Sequence, residues 1–163
     1  SSMEVNINAD GSLDLSQELL ARLDMVICSI HSGLDQPREK QTERMLRAMD
    51  NPNCSIIGHP TGRQLNKRGG YDLDFDRIFE TARRHGVAME INAQPERLDL
   101  RDSHARRAAE AGIALTISTD AHSTRNLDLM HYGIEQARRA WITPEQVLNT
   151  RSLPELRQML RHG

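Results

Sequence analysis

Several short apolar runs in this chain end in side chains that can hold a metal ion. "SIHSG" offers His31, "IIGHPTG" offers His59, "MEINAQP" offers Glu90 and Asn92, and "ISTDAH" offers Asp120 and His122. Near the start, "MEVNI" carries Glu4. A single histidine at a strand end is more often a satisfied polar group than a ligand. Imidazoles and carboxylates gathered in an apolar wall are costly to bury without a cation, and a divalent metal offsets that cost. Imidazole suits Zn, Mn or Fe, and carboxylate suits harder ions. Two or three such ions bridged by a carboxylate can generate hydroxide and brace a phosphate during in-line attack.

The spacing of the chain indicates how these groups are brought together. Runs at 4–7, 25–32, 54–60, 87–93 and 114–122 have strand character. Between and after them lie helical stretches at 16–23, 42–49, 74–86, 103–112, 126–141, 143–150 and 152–163. In 74–86, Phe75, Ile78, Phe79 and Ala82 recur at i, i+3, i+4 and i+7, which predicts one apolar helix face. Asp74 and Gly86 fit its two caps, Ser103 and Gly112 fit those of the next helix, and Thr143-Pro144 fits a further start. Strands alternating with helices predict an α/β fold with a parallel sheet, whose sites lie at the carboxyl ends of the strands. The Gly- and Arg-containing stretch 62–74 is expected to be an exposed loop.

Composition narrows the function classes. With 163 residues and a formal net charge of −2, the chain is long enough for one domain with a core and has no global basic field. Any nucleic-acid contact must therefore be local. No apolar run reaches the roughly 18 residues of a membrane span. Ser1-Ser2-Met3 lacks signal-peptide character and reads as a cloning remnant. Cys28 and Cys54 sit inside apolar runs and are expected as buried thiols, which fits a cytoplasmic protein. His85, His104 and His162 are expected on helical surfaces or termini, and His131 in solvent or core.

Taken in order, "EVNINADGSLDL", "ICSIHSG", "IIGHPTGR", "MEINAQPERLDL", "ISTDAHST" and "GIEQARRAWITPEQVLNT" resemble the PHP domain (polymerase and histidinol phosphatase domain). They are most similar to the PHP domains at the C-terminus of bacterial family X DNA polymerases. The resemblance covers residues 4–163, taken as the C-terminal portion of a single PHP domain. It implies a distorted (β/α)7 TIM-like barrel with a trinuclear Mn or Zn site. By position, Glu4 matches the metal-bridging glutamate, and His31 and His59 complete one of its sites. Asp120 matches a ligand of the other bridged metal, and His122 a ligand of the third.

The family pattern begins with an H-x-H strand and a further pair of histidine positions, which do not precede Glu4 here. The resemblance thus implies a partial barrel lacking its first strands. The site of Glu4, His31 and His59 would be complete, and those of Asp120 and His122 short of ligands. Fewer than three metals, or none, and impaired hydrolysis are then expected. Bare strand edges would favour homo-oligomers.

The activity implied is metal-dependent phosphodiester hydrolysis at a DNA 3′ end, of the 3′–5′ exonuclease or 3′-phosphodiesterase type used in DNA repair. Arg63 and Arg97 are candidate phosphate contacts, because guanidinium matches phosphate oxygens bidentately. Surface or interdomain salt bridges are the competing role for both. Two other readings stay open. One is a stand-alone phosphatase acting on a small phosphate monoester such as histidinol phosphate. The other is a non-catalytic structural module.

Overall fold

The computed structural model describes residues 1–160. Five parallel strands form one sheet: β1 (Ser2–Asn6), β2 (Met25–Ser29), β3 (Ile56–Ile57), β4 (Ala88–Asn92) and β5 (Leu115–Ser118). The helices are α1 (Gln17–Leu20), α2 (Arg38–Met49), α3 (Phe75–His85), α4 (Asp102–Glu110), α5 (Met130–Arg139) and α6 (Leu153–Leu160). The spatial order is β1-β2-β3-β4-β5, the same as the chain order. Successive crossovers therefore all advance in one direction, as along an arc of a β/α barrel and unlike a doubly wound sheet, whose order reverses.

The apolar spacing explains why the helices pack as they do. Phe75, Ile78, Phe79 and Ala82 are all buried on α3. Asp74 accepts a hydrogen bond from Arg77 N, and Gly86 closes the helix at φ 66°. Each large side chain so buried contributes about 1.5–3 kcal/mol. α5 comes close to the sheet because residue 133 is glycine, where a Cβ would lie 2.9 Å from that of Ala93.

Several local expectations need correction. α2 begins at Arg38, directly after Pro37, four residues ahead of the expected start. Ser103 is not a cap: Arg101 occupies the cap position of α4, and Asp102 Oδ1 accepts the amide of Ser103 at 2.9 Å. Segment 143–150 forms two short 3-10 turns, Pro144–Gln146 and Leu148–Thr150. Loop 62–74 is exposed at 65–70 and at Asp72, while Tyr71 and Leu73 are buried. The N-terminal residues Ser2 and Met3 pair with Met25 and Val26 in the sheet. His162 and the end of segment 152–163 lie outside the described residues.

The two sheet edges are treated differently. Beside β5, the Asn149 side chain accepts from Ile117 N at 2.8 Å and donates to Ile117 O at 2.9 Å. One amide thus replaces a neighbouring strand, reinforced by the Leu115–Val147 bridge. At β1, Asp14 meets Asn6, and no strand among the described residues pairs with the rest of the outer edge. No helix among the described residues is long and apolar enough to cross a membrane.

Candidate metal centre

The parallel register sets Glu4 level with Ile27 on β2 and, through it, Ile56 on β3. His31 and His59 follow just past the ends of those two strands. Glu4 Oε1 lies 3.0 Å from His59 Nε2 and 3.2 Å from His31 Nε2. The two rings meet edge to face with centroids 5.3 Å apart. One ligand atom from each of the three residues lies within 4.8 Å of the others, the only such group among the described residues. A carboxylate oxygen and two imidazole nitrogens at this spacing suit Zn, Mn or Fe, and three protein ligands leave positions open.

The electrostatics favour a cation. The imidazoles of His31 and His59, hydrogen-bonded to Glu4, hold its carboxyl far below the usual carboxylate range. Burial pulls His59 down, but its bond to Glu4 and the field of Glu90 outweigh this and leave it above the usual imidazole value. The Glu4 carboxylate is thus held ionised at the meeting point of the two rings, where a cation would be favoured. His59 is buried, and its Nδ1 has no hydrogen-bond partner.

His59 is held in place by β4 and β5. Glu90 accepts the His59 amide and the Ser118 hydroxyl, and Asn92 Nδ2 lies 3.4 Å from it. Burial pushes the Glu90 carboxyl up, against the Ser118 bond. The His59 backbone sits at φ 26°, a sparsely populated conformation that neighbours must enforce. Gly58 allows this, because a Cβ there would press on Ser29 Oγ and lie 2.9 Å from Ile27 Cγ2. Beyond it, Thr61 binds both oxygens of fully buried Asp99 at 2.9 Å.

Asp120 and His122 do not join the three-residue group. Asp120, also at positive φ (47°), accepts from Asn92 Nδ2 at 3.2 Å and faces Arg97 Nε at 3.7 Å. His122 is exposed and bonds back to the Asp120 carbonyl at 2.8 Å. Arg63 gives its Nε to Arg97 O at 2.7 Å and its Nη2 to Leu98 O, so two donors serve the backbone. His85 pairs with Asp50 at 3.1 Å and His131 stacks on Tyr132. His104, in the first turn of α4, is half-buried against Phe75, with centroids 4.0 Å apart.

Sequence reasoning missed Arg44. It is 1% exposed, and its guanidinium donates to the carbonyls of Asn8 and Ser32 at 2.7 Å each, and to that of Ile7. It thereby ties together the loops leaving β1 and β2, which follow Glu4 and carry His31. The signal was there: Arg44 lies on the face of α2 that carries Gln41, Met45 and Ala48. Asn6, whose Oδ1 accepts the His31 amide at 3.2 Å, was missed too.

No family model matches the chain. Among curated proteins it is 43% identical over 161 residues to "DNA polymerase/3'-5' exonuclease PolX" of Bacillus subtilis, across 99% of this chain and 28% of that protein. It is 31% identical over 158 residues to a "Probable phosphatase" of Thermoanaerobacter pseudethanolicus, across 91% of this chain and 62% of that protein. A "Probable phosphatase" of Caldanaerobacter subterraneus subsp. tengcongensis matches at 31% over 169 residues, 98% of this chain and 64% of that protein. The chain thus spans under a third of the polymerase and just under two thirds of these phosphatases.

Proposed function

Because the chain belongs to the PHP domain family, in the branch that includes bacterial PolX, we propose that it hydrolyses phosphoester bonds with a divalent metal held by Glu4, His31 and His59. The observation that carries this is the convergence of one carboxylate oxygen from within β1 and two imidazole nitrogens from just past the ends of β2 and β3. When bound, Mn or Zn supplies Lewis acidity toward water and phosphate oxygens.

The chain's own residues do the rest. Glu4 stays ionised throughout the neutral range and presents a ligand oxygen. Glu90 fixes the backbone from which His59 projects. Arg97, a fifth exposed beside Asp120, can turn a donor to a substrate phosphate. The substrate we favour is a DNA 3′ end, cleaved as a 3′–5′ exonuclease or 3′-phosphodiesterase cleaves it. That reading is supported by identity to PolX over nearly the whole chain.

Asp120 and His122 would serve further ions. Since Asn92 and Arg97 already engage Asp120, hydrolysis by this chain is expected to be weak. Relatives named as phosphatases support a second reading, a phosphatase of small monoesters. The test is to load the protein with Mn or Zn and supply a 5′-labelled oligonucleotide and p-nitrophenyl phosphate in parallel. Shortening of the oligonucleotide that His59→Ala abolishes supports the diesterase. Turnover of the monoester alone supports the phosphatase, and neither activity together with no bound metal leaves the structural module.

A further inference from the structure

A cleft of about 690 Å³ opens between the loop at 61–75 and the start of α4, outside the three-ligand group. Four cationic side chains line it, Arg63, Lys67, Arg68 and Arg101, against one carboxylate, Asp72. Asp72 lies 3.8 Å from Arg38, and Lys67 is held by Glu96 at 2.7 Å. The three arginines have no carboxylate partner among the described residues. Arg63 bonds the carbonyls of Arg97 and Leu98, and Arg68 that of Gly62 at 2.7 Å. Arg101 Nη2 lies 3.1 Å from His104 Nε2. Burial, then Arg101, Arg107 and Arg63, push that imidazole down to about 4, so it is neutral at physiological pH.

These partners orient the guanidiniums without cancelling their charge. By contrast, the depression at Asp76, Glu80, Arg83, Arg107 and Glu110 mixes both signs. The cleft also has an aromatic side, where Phe75 and His104 stack. Its loop departs directly from His59, whose carbonyl accepts the amide of Gly62 at 2.9 Å. A ligand lying in the cleft thus leads toward the candidate metal ligands.

We propose that this cleft binds the phosphodiester backbone of a single nucleic-acid strand, gripping phosphates beside the bond to be cut. The shape favours a strand over a free anion, since the charges are spread around an open cleft with aromatic surface for sugar or base. The inference deepens the phosphoester reading and rests on it for the identity of the ligand.

Binding of fluorescein-labelled oligothymidylate, followed by anisotropy in EDTA across a salt series, tests it without catalysis. Arg68→Ala with Arg101→Ala should weaken binding tenfold or more and lower the salt slope by about 0.7 for each phosphate no longer neutralised. Arg68→Lys with Arg101→Lys should restore most of the slope, which separates charge from loop packing. Elemental analysis should return the parent's metal content in the double alanine variant, so failure of the metal reading and failure of the cleft are distinguishable. Parental affinity and slope in the double alanine variant would overturn the proposal, as would no binding by the parent protein. Competition by inorganic phosphate or thymidine monophosphate as strong, mole for mole, as by unlabelled oligothymidylate would also overturn it.

Discussion

Glu4 and His59 stand 55 positions apart and two strands apart, yet Oε1 and Nε2 lie 3.0 Å from each other. The contact joins an edge strand to an interior one. If it is half of a ligand set, Glu4→Gln, His31→Ala and His59→Ala should each lower bound Mn or Zn by tenfold or more. His85→Ala should leave metal content unchanged, since His85 serves Asp50. Elemental analysis after equilibrium dialysis checks both, and equal metal in His59→Ala and parent sinks the assignment.

The metal-free protein should be more stable near pH 5.5 than near pH 8. Glu4 is depressed, so its contribution is present above the usual carboxylate value of 4.5 and lost only in strong acid. His59 is raised, so its contribution is full below the usual imidazole value of 6.5 and fades as pH rises through its folded value. The raised carboxyls of Glu90 and Asp99 act in the same direction, because ionising them costs more in the fold. Thermal melts in chelator at both pH values give the sign. Added metal should narrow or reverse the difference, because ligand histidines must be deprotonated.

Glu90 should discriminate between alanine and glutamine. Glu90→Ala leaves the buried His59 amide without an acceptor, at about 1–3 kcal/mol, and takes the acceptor from the half-buried Ser118 hydroxyl as well. Glu90→Gln keeps an acceptor oxygen and removes the ionisation cost, so its loss should be at most half as large and smallest at pH 8. Urea denaturation of the two variants measures the gap, and equal destabilisation would show that Glu90 acts only by filling space.

Asn149→Ala should cost about 2 kcal/mol or more, because both the amide and the carbonyl of Ile117 lose their partner. Asn149→Asp should fare little better, since a carboxylate oxygen would face the Ile117 carbonyl. Urea midpoints test the pair, and a parental midpoint for Asn149→Ala would mean that β5 does not rely on this amide.

Much of the architecture was legible in the chain. Short runs of strand character and the 3.6-residue apolar period separated strands from helices, and the caps Asp74 and Gly86 are where the side chains predicted. His31, His59 and Glu4 could be picked out because polar groups interrupt apolar runs. Other features depend on geometry that spacing does not encode. Arg44 is satisfied by backbone carbonyls that converge only once β1 and β2 lie side by side. Asp120 and His122 follow a strand end as His31 and His59 do, yet Asn92 at the end of β4 and Arg97 from the loop after it engage the carboxylate. Ser103 had a cap's identity but lost the position to Arg101, two residues earlier.

The placement of Glu4 on the outermost strand has a mechanical consequence. β1 is paired to one strand only among the described residues, so a single ladder holds it to the sheet. A cation held jointly by Glu4, His31 and His59 would act as a rivet through three adjacent strands. Each increment in ion occupancy would tighten β1 by the free energy of binding, and chelation would loosen that strand first. Amide hydrogen exchange at Val5 and Asn6 would then read metal concentration directly, even in a protein that turns over no substrate.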